Sequence, residues 1–315
     1  MLAAPTRIVI EMTNRCNSRC PFCAHTWKRA PDQDMPWPLF QQVVDEVRAF
    51  SPAPKVYLYG VSEPLLYPRV REALAHTRGL WRGFSSNGQA LTERAAAMLL
   101  DAGLDEMILS VDSDVPEDHA RLRVGLDHAA VMRNVLRFLE LRAARRDFLT
   151  RVYVSMMHFA ETDAYFAEMG ARWLGRVRGM PNTVVQMKQA CRFPTVRAQA
   201  MGGSPAGGFA GMLPMTSIRA RREEAAEIRR NPQLQWVDWM ESIRANCTLW
   251  DNGVTVLPDG SVSACCHGAD DDFHVGRVTA ERGVLDAWRG ERWQAYRAKF
   301  NAGDFAGIPL CEACP

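Results

Sequence analysis

The chain has 315 residues, is 47% hydrophobic and 23% charged, and carries a formal net charge of +2. Its length exceeds one usual compact core and predicts a large domain followed by a small one. The charge is too small to point to nucleic acid or an anionic membrane surface as partner, and no run of about 18 apolar residues is present to span a bilayer.

The start, MLAAPTRIVIEMTN, has no charged segment followed by an apolar one, so a cytoplasmic location is expected. TRIVIEMT (6–13) then predicts a short buried strand rich in branched residues. WPLFQQVVDEVRAF (37–50) has apolar residues at helical spacing, and KVYLYG (55–60) is a strand ending at Gly60. RVREALAHTRG (69–79) is a helix stopped by Gly79, WRGFSSNG (81–88) a strand and turn, and TERAAAMLLDAG (92–103) a helix with Thr92 as N-cap and Gly103 as its stop. EMILSVDS (106–113) is a strand and HAAVMRNVLRFLELRAAR (128–145) a long amphipathic helix. RVYVSMMH (151–158), TDAYFAEMGARW (162–173) and TVVQMKQ (183–189) continue as strand, helix and strand. Six such alternations predict a parallel sheet with right-handed crossovers. They are too few for a closed eightfold barrel and fit an open, partial (β/α)6 barrel of the α/β class.

Residues 194–216 break the pattern with Gly and Pro, and RARREEAAEIRRNP (219–232) is a mixed-charge helix whose Arg residues are matched by Glu. The last 70 residues change character: NGVTVLPDGSVSACC (252–266) predicts two short strands around an Asp-Gly turn. The expected division is a barrel over 1–190, a linker or lid over 191–245, and a small domain over 246–315.

Nine cysteines in a cytoplasmic chain argue against a disulfide framework. Three lie at Cys16, Cys20 and Cys23, five between Cys247 and Cys314, and Cys191 stands alone. Clusters at both ends suggest two metal sites. The first, C-x3-C-x2-C, supplies three ligands in one loop, whereas a structural zinc site wants four, and His25 lies too close to be a convincing fourth. A 4Fe–4S cluster on three thiolates leaves one iron open to bind a small molecule. Zinc remains the other reading of these thiols.

The C-x3-C-x2-C loop after the first strand, with Phe22 just before the third cysteine, resembles the radical SAM superfamily. The resemblance implies that the open iron chelates S-adenosylmethionine. Its reductive cleavage then yields a 5′-deoxyadenosyl radical that abstracts a hydrogen atom from a substrate C–H bond. It also implies a flavodoxin- or ferredoxin-type electron donor. Gly60-Val61-Ser62-Glu63-Pro64 resembles the family's Gly-Gly-Glu-Pro strand end, a residue longer, which makes Glu63 a candidate for the methionyl amino group. Ser86 and Asn87 resemble the third-strand motif near the cosubstrate. Ser110 and Asp112 fall at the fourth strand end, where relatives contact the ribose, or are strand-end caps. Arg123 is a candidate for the methionyl carboxylate or a surface arginine. His158 and Lys188 fall at strand ends without an assigned role.

At the other end, Cys247-x12-Gly260-x4-Cys265 followed by Cys311-x2-Cys314 resembles a shortened, "twitch" form of the SPASM domain. Four thiols suffice for one auxiliary 4Fe–4S cluster, two clusters in all, with a zinc ribbon as the alternative. Adjacent strand residues point in opposite directions, so if Cys265 faces the cluster, Cys266 faces elsewhere. By resemblance that direction is the barrel mouth, where a thiol is a hydrogen-atom donor; a small buried thiol, or a ligand in place of Cys265, are the other readings. The resemblance thus implies an epimerase acting on a sugar-type natural product or a peptide, with Cys266 as donor. A dehydrogenase, with His267, His158 or Lys188 as base and the auxiliary cluster as electron acceptor, is the alternative. A non-catalytic iron–sulfur or zinc protein is a third.

Overall fold

In the computed structural model, residues 4–28, 30–189, 231–237, 247, 252–265 and 273–304 are described. Strands β1 (Arg7–Ile10), β2 (Lys55–Tyr57), β3 (Trp81–Ser86), β4 (Glu106–Ser110), β5 (Arg151–His158) and β6 (Thr183–Gln189) pair in parallel in chain order. Between them run α1 (Trp37–Arg48), α2 (Val70–His76), α3 (Glu93–Ala102), α4 (Pro116–Leu122), α5 (His128–Ala144) and α6 (Phe166–Val177). The partial α/β barrel expected from the sequence is present.

Two features were not legible in the sequence. Leu234–Val237, inside the stretch read as linker, forms a strand, β7, parallel to β6. The small C-terminal strands are also not a separate sheet. β8 (Gly253–Val256) pairs parallel to β1, and β9 (Ser261–Ser263) and β10 (His274–Arg277) follow antiparallel. One sheet of ten strands results, in the order β10-β9-β8-β1-β2-β3-β4-β5-β6-β7. The turn between β8 and β9 is the Asp259-Gly260 turn expected, with Gly260 at φ +85°, a conformation that suits glycine.

Strand alternation sorts the side chains. Ile8, Ile10, Val56, Leu58, Phe84, Met107, Leu109, Val152, Val154, Val185 and Met187 pack outward in the main core with the helices. Their neighbours in sequence, including Val9, Glu11, Tyr57, Ser85, Ser110, Ser155 and Lys188, point to the barrel interior. The helices carry the signals that end them: Thr92 Oγ1 accepts from Ala95 N at 3.3 Å, and Gly103 closes α3 in the left-handed region.

Helix α7 (Val284–Arg289) and α8 (Glu291–Ala302) complete the C-terminal region. Glu46 of α1 caps α7 from across the chain, accepting from Val284 N at 2.7 Å and Leu285 N at 2.9 Å. Among the described residues no helix is long and apolar enough to cross a membrane.

Candidate functional site

Beyond β1 the chain turns into the cysteine loop at the C-terminal mouth of the sheet. Cys16, Cys20 and Cys23 line one cavity of about 150 Å³, together with Glu63, Asn87, Ser110 and Arg123. The sequence separates these residues by up to 107 positions, from Cys16 to Arg123. Parallel strands bring them together because each C-terminal strand end opens on the same mouth.

The loop is held from two sides. Val124, in the turn between α4 and α5, accepts from Arg19 N at 2.8 Å and Ser18 Oγ at 3.0 Å through its carbonyl. Ser18 Oγ also lies 2.9 Å from Cys20 Sγ. From the opposite wall, Asn87 Nδ2 donates to Asn17 Oδ1 at 2.7 Å and lies 3.9 Å from Cys16 Sγ.

Burial raises the Cys16 thiol to about 11 and the Cys23 thiol to about 12, and neighbouring thiols add to both shifts. The Cys16 and Cys23 sulfurs, desolvated in this way, resist ionisation unless a cation sits beside them. Thiolate ligation of a positively charged iron centre supplies that cation, so the donor set fits an iron–sulfur cluster. A guanidinium already stands at its edge, with Arg123 Nη1 3.8 Å from Cys20 Sγ.

Glu63 is 1% exposed. Its Oε2 accepts from Asn87 N at 2.8 Å and its Oε1 from Leu65 N at 3.3 Å, yet burial still raises its pKa to about 7. A buried carboxylate in this state is suited to a cationic ligand group, which restores the charge that burial penalises. Asn87 is fixed by donation from Gln89 N to its Oδ1 at 3.0 Å.

Two site candidates sit beside the cavity rather than in its wall. Asp112, with φ +58°, accepts from Arg123 Nε at 2.6 Å and from Met157 N at 3.0 Å, so its carboxylate orients Arg123. Phe22 packs against Phe159 in a tilted pair, 4.7 Å between centroids, with the Arg123 guanidinium 5.4 Å from its ring. His158 turns outward, donating or accepting at 2.9 Å with Asp163 and stacking on Phe166, so it is placed as a structural residue. Lys188 points into the barrel.

Glu11 is the residue that sequence reasoning missed. It is 1% exposed and accepts from Val61 N at 2.8 Å, and burial raises its pKa to about 7. A Cβ on Gly60 would come within 2.5 Å of Glu11 Oε1, so glycine there permits the approach. Glu11 thereby holds the segment that carries Glu63. Its signal was an acidic residue closing an apolar strand.

Of the C-terminal cysteines, Cys247 and Cys265 are described; Cys266, Cys311, Cys314, Cys191 and His267 lie outside the described residues. Ser263 pairs with Thr255, and Thr255 with Val9. β9 runs antiparallel to β1, so Cys265, two residues past Ser263, falls toward the N-terminal end of the sheet. The cysteine loop of residues 16–23 occupies the other end.

Three cysteine thiols beside a polar cavity, at the C-terminal mouth of a parallel partial barrel, fit the class of cluster-dependent enzymes. Comparison with known proteins identifies which. The model of the radical SAM superfamily matches residues 10–171, and that of the SPASM iron–sulfur cluster-binding domain matches 247–315. The chain belongs to the radical SAM superfamily, with S-adenosylmethionine, a 4Fe–4S cluster and further iron–sulfur binding as its cofactors.

The tungsten-containing aldehyde ferredoxin oxidoreductase cofactor-modifying protein of Pyrococcus furiosus is 31% identical over 107 residues, 33% of this chain. That match spans 30% of the curated relative's length. Among solved structures, Streptococcus suis SuiB bound to S-adenosylmethionine superposes with a TM-score of 0.68 at 13% identity, over 95% of this chain and 69% of that one. BtrN in complex with AdoMet and 2-DOIA gives 0.54 at 14% identity, over 100% and 94%. These two likenesses establish the shared fold.

Proposed function

We propose that this chain is a radical SAM epimerase acting on a sugar-type natural product or a peptide. Cys16, Cys20 and Cys23 would hold the 4Fe–4S cluster, and Glu63, Asn87, Ser110 and Arg123 would hold S-adenosylmethionine. Asp112 and Phe22 would support Arg123. Cys247, Cys265, Cys311 and Cys314 would hold the auxiliary cluster. When bound, the first cluster and S-adenosylmethionine supply an adenosyl radical able to take a hydrogen atom from a substrate carbon.

One observation carries the epimerase reading: Cys265 falls toward the opposite end of the sheet from the three-cysteine loop. Inversion needs a hydrogen removed from one face of a carbon and another delivered to the other face. A thiol on Cys266, next to Cys265, would approach a substrate in the barrel from the side opposite the S-adenosylmethionine cavity. Its S–H bond is weaker than a C–H bond, so transfer to a carbon radical is downhill. One electron from a flavodoxin- or ferredoxin-type donor and one solvent proton would restore the thiol. A peptide substrate has support in a relative of the same fold. SuiB has been solved with its precursor peptide SuiA, and BtrN with AdoMet and 2-DOIA.

Turnover in deuterated water tests this reading. An epimerase using Cys266 places one solvent deuterium at the inverted carbon, and Cys266→Ala still forms 5′-deoxyadenosine but no epimer. A product lighter by two hydrogens, without solvent deuterium, would instead establish the dehydrogenase. The iron content of Cys266→Ala must match the parent's before its activity is interpreted.

A further inference from the structure

Strand register sets an inward-facing polar strip on the half of the barrel away from β1. Ser110 pairs with Ser155, Ser155 with Gln186, and Gln186 with Gln235, so these four lie across β4, β5, β6 and β7 at one level. One level nearer the mouth, Met157 pairs with Lys188, beside Asp112. Ser110 also lines the S-adenosylmethionine cavity, so the strip continues from that cavity's wall.

Two groups on this strip have no partner among the described residues. Among the described residues Lys188 makes no hydrogen bond or ion pair; the acid that acts on it most strongly, Asp112, is already committed to Arg123 and Met157 N. Gln186 donates to Gln235 Oε1 at 3.0 Å, while its own Oε1 is buried without a donor among the described residues. The ammonium and the unsatisfied carbonyl belong to residues two apart on one strand face, whose Cα atoms lie roughly 7 Å from each other. Each costs free energy until a ligand answers it.

We propose that Lys188 and Gln186 form the substrate's anchoring subsite, which takes a carboxylate with a neighbouring N–H or O–H group. The ammonium pairs with the carboxylate, and Gln186 Oε1 accepts from the neighbouring donor. Burial lowers the Lys188 pKa against the pull of Asp112 and Glu106, and a paired anion would offset that penalty. An acidic peptide residue and a sugar acid both carry this chemistry. The inference rests on the proposed function only in placing substrate inside the barrel, and Cys266 plays no part in its test.

The experiment is protection of Lys188 from reductive methylation, read by peptide mass spectrometry on the reconstituted full chain with S-adenosylmethionine present. Lys299 on α8 serves as internal reference. N-acetylglycine and D-glucuronate are compared with their neutral counterparts N-acetylglycinamide and D-glucose at equal ionic strength. The expected result is at least threefold protection of Lys188 by one acid or both, with none from either neutral compound. The acid that protects identifies the source as peptide or sugar acid. In calorimetric titration of that acid, Lys188→Arg should bind within about threefold of the parent, and Lys188→Gln at least tenfold more weakly. A lysine acting only as proton acceptor would not give that order. Equal protection by acid and amide, no protection by either acid, or a Lys188 that the reagent never reaches would overturn the proposal.

Discussion

The Arg123 guanidinium meets the Asp112 carboxylate at 2.6 Å while reaching to within 3.8 Å of Cys20 Sγ. One side chain thus ties the end of β4 to the cysteine loop. Both partners are largely buried, at 12% and 1% side-chain exposure, so removing one leaves an uncompensated charge. Asp112→Ala should lower stability by about 3–5 kcal/mol in denaturant unfolding. An unchanged midpoint would mean that solvent, not Asp112, satisfies Arg123.

Arg123→Lys keeps the charge but loses the planar fork. It should weaken S-adenosylmethionine binding by roughly tenfold or more, measured by equilibrium dialysis at matched iron content. Binding equal to the parent's would remove Arg123 from the proposed site.

Glu11 and Glu63 predict a pH dependence of stability. Burial holds both near 7 in the folded chain, against 4.5 for an ordinary glutamate. Between those values the folded state carries protons that the unfolded state has lost. These groups therefore contribute stability that is present below pH 4.5 and is lost as pH rises through 7. The slope is at most about 1.4 kcal/mol per pH unit for each group. Glu11→Gln should remove one share, giving a flatter profile than the parent in thermal unfolding from pH 5 to 8. Parallel profiles would show that Glu11 is not protonated in this range.

Glu46→Ala removes the carboxylate that receives Val284 N and Leu285 N. The expected cost is roughly 1–3 kcal/mol, concentrated in the C-terminal region. Hydrogen exchange should accelerate in 284–289 while β2 to β5 keep their protection. Uniform acceleration across the chain would contradict this local role.

Local signals were legible in the sequence and distant pairings were not. Thr92, Gly103 and the Asp259-Gly260 turn act through their own backbone neighbours, and the structure repeats them. β7 was missed because its four residues, Leu234–Val237, sit in a polar, Pro-bordered stretch and become a strand by pairing with β6. The union of β8 with β1 was hidden for the same reason, since nothing in either strand names its partner. In the site, the cysteine spacing announced the cluster loop from three residues alone. Glu11 did not announce itself, because its partner Val61 is fifty positions away. Asp112 and Ser110 fell at one strand end in the sequence, but alternation and the left-handed turn at Asp112 give them different neighbours.

Iron content tests the two-cluster arrangement. Anaerobic reconstitution should yield about eight irons per chain, and replacing Cys16, Cys20 and Cys23 together by Ala should leave about half. Zinc at the C-terminal thiols, or about four irons in the parent, would contradict an auxiliary 4Fe–4S cluster.

The most direct measurement is 5′-deoxyadenosine formation from S-adenosylmethionine by the reduced, reconstituted protein, followed by chromatography. The parent should form it, and Cys20→Ala should form none, because Cys20 is the buried thiol held between Ser18 and Arg123 at the cavity wall. Cleavage retained in Cys20→Ala would contradict the assignment of this loop and cavity as the place where S-adenosylmethionine is cleaved.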